Sequence, residues 1–133
     1  MAVAKSGPSK GALTKWTRVR DFALGMPGAT EDFPWGETVA KVNKKVFVFL
    51  GMDDGSYPLG ITVKLKEEEQ HAHALTAPGA EPAGYGLGKA GWVTIPLEEK
   101  GAPSAALLCD WVEESYRVIA TKKLVAELDA RAR

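Results

Sequence analysis

Residues 81–97 read EPAGYGLGKAGWVTIPL, with glycines at 84, 86, 88 and 91, prolines at 82 and 96, and Lys89 among them. Ordering so many glycines as helix or regular strand is costly, so the segment before Trp92 is a shaped loop. Trp92-Val93-Thr94-Ile95 that follows has the β-branched and aromatic composition of a half-buried strand. A glycine loop feeding a strand, with a basic side chain at the tip, marks the first place to look for a working surface.

The same loop resembles motifs that its context excludes. Gly86-Leu87-Gly88-Lys89-Ala90-Gly91 matches G-x-G-x-x-G, and Val93 extends the match to the kinase pattern G-x-G-x-x-G-x-V. A dinucleotide loop follows a strand and opens a helix, whose N-terminus holds the pyrophosphate. Here a strand follows instead. The kinase reading lacks His-Arg-Asp and Asp-Phe-Gly. A phosphate loop needs Ser or Thr after its lysine, and Ala90 stands there.

Outward from the loop, the rest of the chain alternates helical and strand periodicity. Residues 1–11 are small and polar and are expected as a flexible tail, leaving residues 12–133 as one domain. Leu13–Leu24 is predicted helical, with Trp16, Val19 and Ala23 on one stripe and a stop at Gly25-Met26-Pro27-Gly28. Thr30–Gly36 reads as an aromatic, acidic connector. Thr38–Val42 and Val46–Leu50 read as strands around an Asn43-Lys44 turn. Gly51–Pro58 reads as a polar loop. Leu59–Lys66 alternates, with Ile61, Val63 and Leu65 on one face and Thr62, Lys64 and Lys66 on the other. Glu67–Thr76 is a short predicted helix, its three glutamates at the end where the helix dipole favours negative charge. A further strand is expected near Glu81–Tyr85. Ser104 caps a long helix to about Ala120, and Thr121–Ala130 continues helical after a kink. The expected class is α+β, an antiparallel sheet packed against helices, in the order α-β3-α-β2-α. Trp16, Val19, Ile61, Val63, Trp111 and Ile119 are expected to share one core.

At 133 residues the chain supports a single domain with a real core. Basic and acidic residues balance at 17 each, which argues against a strongly basic nucleic-acid binder but leaves a local patch open. Cys109 stands alone and can form no internal disulfide, as suits a reducing cytoplasm. The N-terminus lacks the apolar core of a signal peptide, and no apolar run approaches a membrane span. The expectation is a cytoplasmic protein without a membrane partner.

No catalytic constellation emerges, and a non-enzymatic protein without cofactor or metal is expected. His71 and His73 are two apart on a helix and point to different faces, so they cannot share one metal ion. Cys109, between Leu108 and Trp111 on the long helix, is read as packing. The neighbouring acid pairs lack apolar surroundings that would raise their pKa values. The lysines are more suggestive. Lys41, Lys44 and Lys45 at the first hairpin, Lys64 and Lys66 on the next strand, and Lys89 in the glycine loop could share one side of the sheet. Trp35, Tyr85 and Trp92 would lie among them. Such donors and aromatics suit phosphates and bases. The alternative is that strand lysines keep a sheet face soluble and its edges unpaired.

ALGMPGATED after the first helix, VNKKVFVFL, ITVKLKEEEQHAHAL, YGLGKAGWVTI and WVEESYRVIATKK occur in that order. In motif and order the chain resembles the MmcQ/YjbR family over about Leu13–Leu128. Lys89 with Trp92, and the Ser115-Tyr116 pair, are the most telling matches. The resemblance implies a two-layer α+β domain, an antiparallel sheet with helices on one side, similar to secretion-chaperone and frataxin-like topologies. It also implies DNA binding through a "double wing" arrangement of the sheet, with no established catalytic residues. By matching positions, Lys44, Lys45, Lys89 and Trp92 are the implied contacts. The function expected is weak, sequence-tolerant nucleic-acid binding through the lysine-bearing sheet face. A chaperone-like protein-interaction module and a small-ligand domain under the glycine loop are the competing readings.

Overall fold

The computed structural model describes residues 9–52, 59–84 and 86–131. Helix α1 (Lys10–Leu24) starts with the Ser9 side chain accepting the Ala12 N–H at 3.1 Å. It therefore includes Lys10 and Gly11, placed in the tail by the sequence reading; most of that tail lies outside the described residues. Strands β1 (Ala29–Asp32), β2 (Thr38–Val42), β3 (Lys45–Gly51) and β4 (Gly60–Lys64) follow, with a 3-10 turn at Pro34–Gly36. Then come α2 (Glu68–Leu75), β5 (Glu81–Pro82), a 3-10 turn at Leu87–Ala90, β6 (Trp92–Pro96), α3 (Ala105–Ile119) and α4 (Lys122–Arg131).

The class is α+β. Six strands form one open sheet in the order β1-β2-β3-β4-β6-β5, every neighbouring pair antiparallel. The first half holds four strands rather than the expected three, because part of the acidic connector pairs with β2, Ala29 opposite Val42 and Asp32 opposite Val39. Ala-Thr-Glu-Asp has poor intrinsic strand preference. It holds as an edge because the Arg20 guanidinium grips Glu31 through both oxygens, Nε–Oε2 at 2.7 Å and Nη2–Oε1 at 2.9 Å. The strand expected near Glu81–Tyr85 is ordered as Glu81–Pro82; Tyr85 lies outside the described residues. As an edge strand it tolerates its proline. The chain turns extended at Ala120, so the expected kink separates two helices.

Alternation along the strands sorts the two faces of the sheet. Ala40, Val42, Val48, Leu50, Ile61, Val63, Val93 and Ile95 are fully buried on one side, together with Trp16 and Val19 of α1 and Trp111 and Val112 of α3. Burying a large aliphatic side chain contributes about 1.5–3 kcal/mol, so this layer dominates the stability. Ile119 only half-buries, packing on the core from the last turn of α3. The Trp16 Nε1–H donates to the Leu50 carbonyl at 2.6 Å, which lets the indole be buried without an orphan donor. A bulge in β3 leaves Phe47 unpaired between the Ala40–Val48 and Lys41–Val46 pairs. Phe47 and Val48 both end fully buried, and the Phe47 ring meets Tyr116 edge-on at 5.2 Å.

Strands β3 and β4 pair only at Val48–Val63 and Phe49–Thr62, then separate. Ser115 of α3 fills the opening. Its Oγ accepts the Lys64 N–H at 2.9 Å and donates to the Phe47 carbonyl. Beside it, the Tyr116 hydroxyl donates to the Pro27 carbonyl at 2.6 Å.

A candidate nucleic-acid interface

Asn43 and Lys44 have φ of 52° and 67°, the two left-handed residues that a tight hairpin turn requires. The turn projects Lys44 and Lys45, both exposed. Lys41, on β2, is half-buried and already paired, its Nζ 2.8 Å from Asp32 Oδ2. That hydrogen bond, helped by the Phe33 N–H, holds the Asp32 carboxyl below the usual carboxylate range.

Gly86 and Gly91 bracket the 3-10 turn of the glycine loop with φ of 79° and 99°, a region that strongly favours glycine. The Gly91 carbonyl accepts the Leu65 N–H at 2.9 Å, which pins the loop to the end of β4. Lys89 is exposed at the tip. Trp92 is only 7% exposed and meets Phe49 edge-on at 5.3 Å. Its indole braces the loop's exit rather than standing free. Between the loop and α2 runs a groove of about 460 Å³ whose charged walls are Lys66, Lys89 and Glu68. His71 lies in the same groove, Nδ1 3.1 Å from the Leu65 carbonyl.

Strand register locates all six lysines. The β2–β3 turn, the end of β4 and the start of β6 lie at one end of the sheet, because β3–β4 and β4–β6 are antiparallel and Lys64 pairs with Trp92. Lys44, Lys45, Lys66 and Lys89 stand at that rim. Lys41 and Lys64 lie just inside it, on the face opposite the helices. The lysines are thus gathered at an end of the sheet more than across a face. The first-turn glutamates of α2, Glu68 and Glu69, share the end. Trp35 belongs to the turn Pro34–Gly36, before β2, at the other end. There Glu37 precedes β2, Glu81 opens β5, and Glu98 and Glu99 follow β6.

A second feature escaped the sequence reading. On the face opposite the helices, towards the glutamate end, a cleft of about 290 Å³ is lined by Glu37, Phe49, Met52, Thr62 and Thr94, with Gly51 and Gly60. The Thr62 and Thr94 hydroxyls are 2.9 Å apart. Burial pushes the Glu37 carboxyl above its ordinary pKa, and the Gly51 N–H partly offsets this. Only the outward parity of Thr62 was readable beforehand; Glu37 and Thr94 are too far apart in the chain for any spacing signal.

Among the described residues, no group of three or more His, Cys, Asp or Glu side chains is placed to hold a metal ion. Among the same residues, no helix is long and apolar enough to cross a membrane. Burial raises the Cys109 thiol pKa, the opposite of what a reactive cysteine needs.

The chain matches the YjbR family model over residues 24–118. It is similar to the crystal structure of the Deinococcus radiodurans protein DR2400, described as a DUF419-domain protein. Identity is 27% and the TM-score 0.62, covering 84% of this chain and 85% of that one. Among curated proteins none matches.

Proposed function

The chain belongs to the YjbR family, and we propose that it is a non-enzymatic cytoplasmic protein that binds nucleic-acid backbone, DNA first, through its lysine-rich sheet end. The observation that carries this reading is the convergence of Lys44, Lys45, Lys66 and Lys89 from three separate connections onto one rim. Phosphates want several donors within one local field, and net charge is irrelevant to that requirement. Lys44 sits on a tight turn and Lys89 on a glycine loop, where the backbone can approach a strand closely. Lys41 is paired with Asp32 and Lys64 is half-buried, so they contribute field more than direct phosphate bonds. Trp92 contributes by fixing the loop.

Phosphate contacts carry no sequence information, so binding should be weak, sequence-tolerant and strongly salt-dependent. Fluorescence anisotropy with labelled single- and double-stranded DNA across a salt series tests it. The double variant Lys44→Glu/Lys45→Glu should weaken binding equally for all sequences. It should also flatten the salt slope by roughly one unit for each phosphate that the variant no longer neutralises. No affinity at low salt, where electrostatic binding is strongest, would refute the reading. The protein-interaction reading has less support. The exposed large hydrophobics among the described residues are Phe33 (56%) and Leu87 (36%), at opposite ends of the sheet and not one patch.

A further inference from the structure

We propose that the cleft walled by Glu37, Phe49, Met52, Thr62 and Thr94 is a binding site for a small primary amine, its ammonium on Glu37 and its apolar body against Phe49 and Met52. The hollow is built largely by strand parity. Phe49, Thr62 and Thr94 share the face away from the helices by the pairs Phe49–Thr62 and Thr62–Thr94, Gly60 lies two along from Thr62, and Glu37 and Gly51 complete the lining where the β2–β3 register shifts. Two of these six positions are glycine, so no side chain fills the middle. Neither is easily replaced: Gly51 has φ of 71°, and a Cβ on Gly60 would come 3.0 Å from the Ile95 carbonyl oxygen.

The chemistry of the walls selects the ligand. Among the described residues, Glu37 is the one ionisable side chain in the lining and no basic residue pairs with it. The intervening stretch 53–58, DDGSYP, contains two aspartates and no basic residue. A partly buried carboxylate without a countercharge is disfavoured, and a ligand cation relieves that cost. An ammonium has three donors, which Glu37 and the lone pairs of the Thr62–Thr94 hydroxyl pair can accept. The Phe49 ring adds cation–π attraction. At about 290 Å³ the cleft is at the small end of ligand pockets and suits a single-ring or short-chain amine. This site takes a cation, whereas the rim at the other end of the sheet takes an anion, so the two stand or fall separately.

The test is an amide-resolved NMR titration of the full chain with benzylamine and with its neutral counterpart benzyl alcohol. Benzylamine should give saturable shifts at Gly51, Gly60, Thr62 and Thr94, and benzyl alcohol should not. Glu37→Gln keeps an acceptor for the Gly51 N–H, so it should fold, and it should weaken benzylamine at least about tenfold. Thr94→Val, judged folded by its own spectrum, should weaken it by a smaller factor. Equal binding of benzyl alcohol, unchanged affinity in Glu37→Gln, or no saturable shift at those four amides would each overturn the proposal.

Discussion

Ser115 stands where the ladder between β3 and β4 opens, and a single hydroxyl satisfies one backbone group from each strand. Removing it leaves the part-buried Lys64 N–H and the buried Phe47 carbonyl without this partner, and an orphaned buried polar group costs roughly 1–3 kcal/mol. Ser115→Ala should therefore lower the urea midpoint by an equivalent amount without changing the slope. Ser104→Ala, which removes only a helix cap, should cost about 1 kcal/mol. If Ser115→Ala were as stable as the parent, the staple between the strands would be without energetic content. The sequence made Ser115 visible as a polar residue in an apolar helical stripe. It could not reveal the partners, because Phe47 and Lys64 lie 68 and 51 residues away and join only through the packed sheet. Glu37 was unreadable for the same reason, since its environment is made by three other strands.

At the scale of elements, strong local signals were legible and weak ones were not. The Asn43-Lys44 turn, the alternation of Ile61, Val63 and Leu65, and the Ser104 cap each rest on neighbours in sequence, and each appears at its expected place. Strand β1 exists only because β2 and Arg20 hold it, so its own residues do not announce it. The glycine loop shows both sides of this. Its irregularity was readable from composition, but which glycines are obligatory depends on backbone angles. Gly91 has φ of 99°, and a Cβ there would stand 3.1 Å from the Leu65 carbonyl oxygen. Gly84 has open space around that position. Gly91→Ala should destabilise by about 1–3 kcal/mol, the scale of a residue forced into a sparsely populated conformation. Gly84→Ala should be neutral or stabilise by up to about 1 kcal/mol, by restricting the unfolded chain. Thermal melts of the two variants separate the cases; the same Tm for both would mean that the loop is not fixed by its glycines.

At the scale of the molecule, a formal charge of zero conceals a separation. Lysines gather at the hairpin end of the sheet, and Glu37, Glu81, Glu98 and Glu99 at the other, because antiparallel pairing returns every second connection to the same rim. A sum over the sequence cannot express this, which is why composition argued against nucleic acid while position argues for it. The distinction can be measured by moving charge without changing its total. In the variant Lys44→Glu/Lys45→Glu/Glu81→Lys/Glu99→Lys the net charge stays at zero, since the two reversals at each end cancel. All four side chains are exposed, and exposed substitutions of this kind usually change stability by less than about 0.5 kcal/mol each. If the local field at the lysine rim is what phosphates meet, DNA affinity at low salt should fall as far as in the Lys44→Glu/Lys45→Glu double variant, although the net charge of that one is four units more negative. Recovery of parental affinity in the charge-neutral variant would mean that overall charge, and not the placement of the lysines by the fold, governs the interaction.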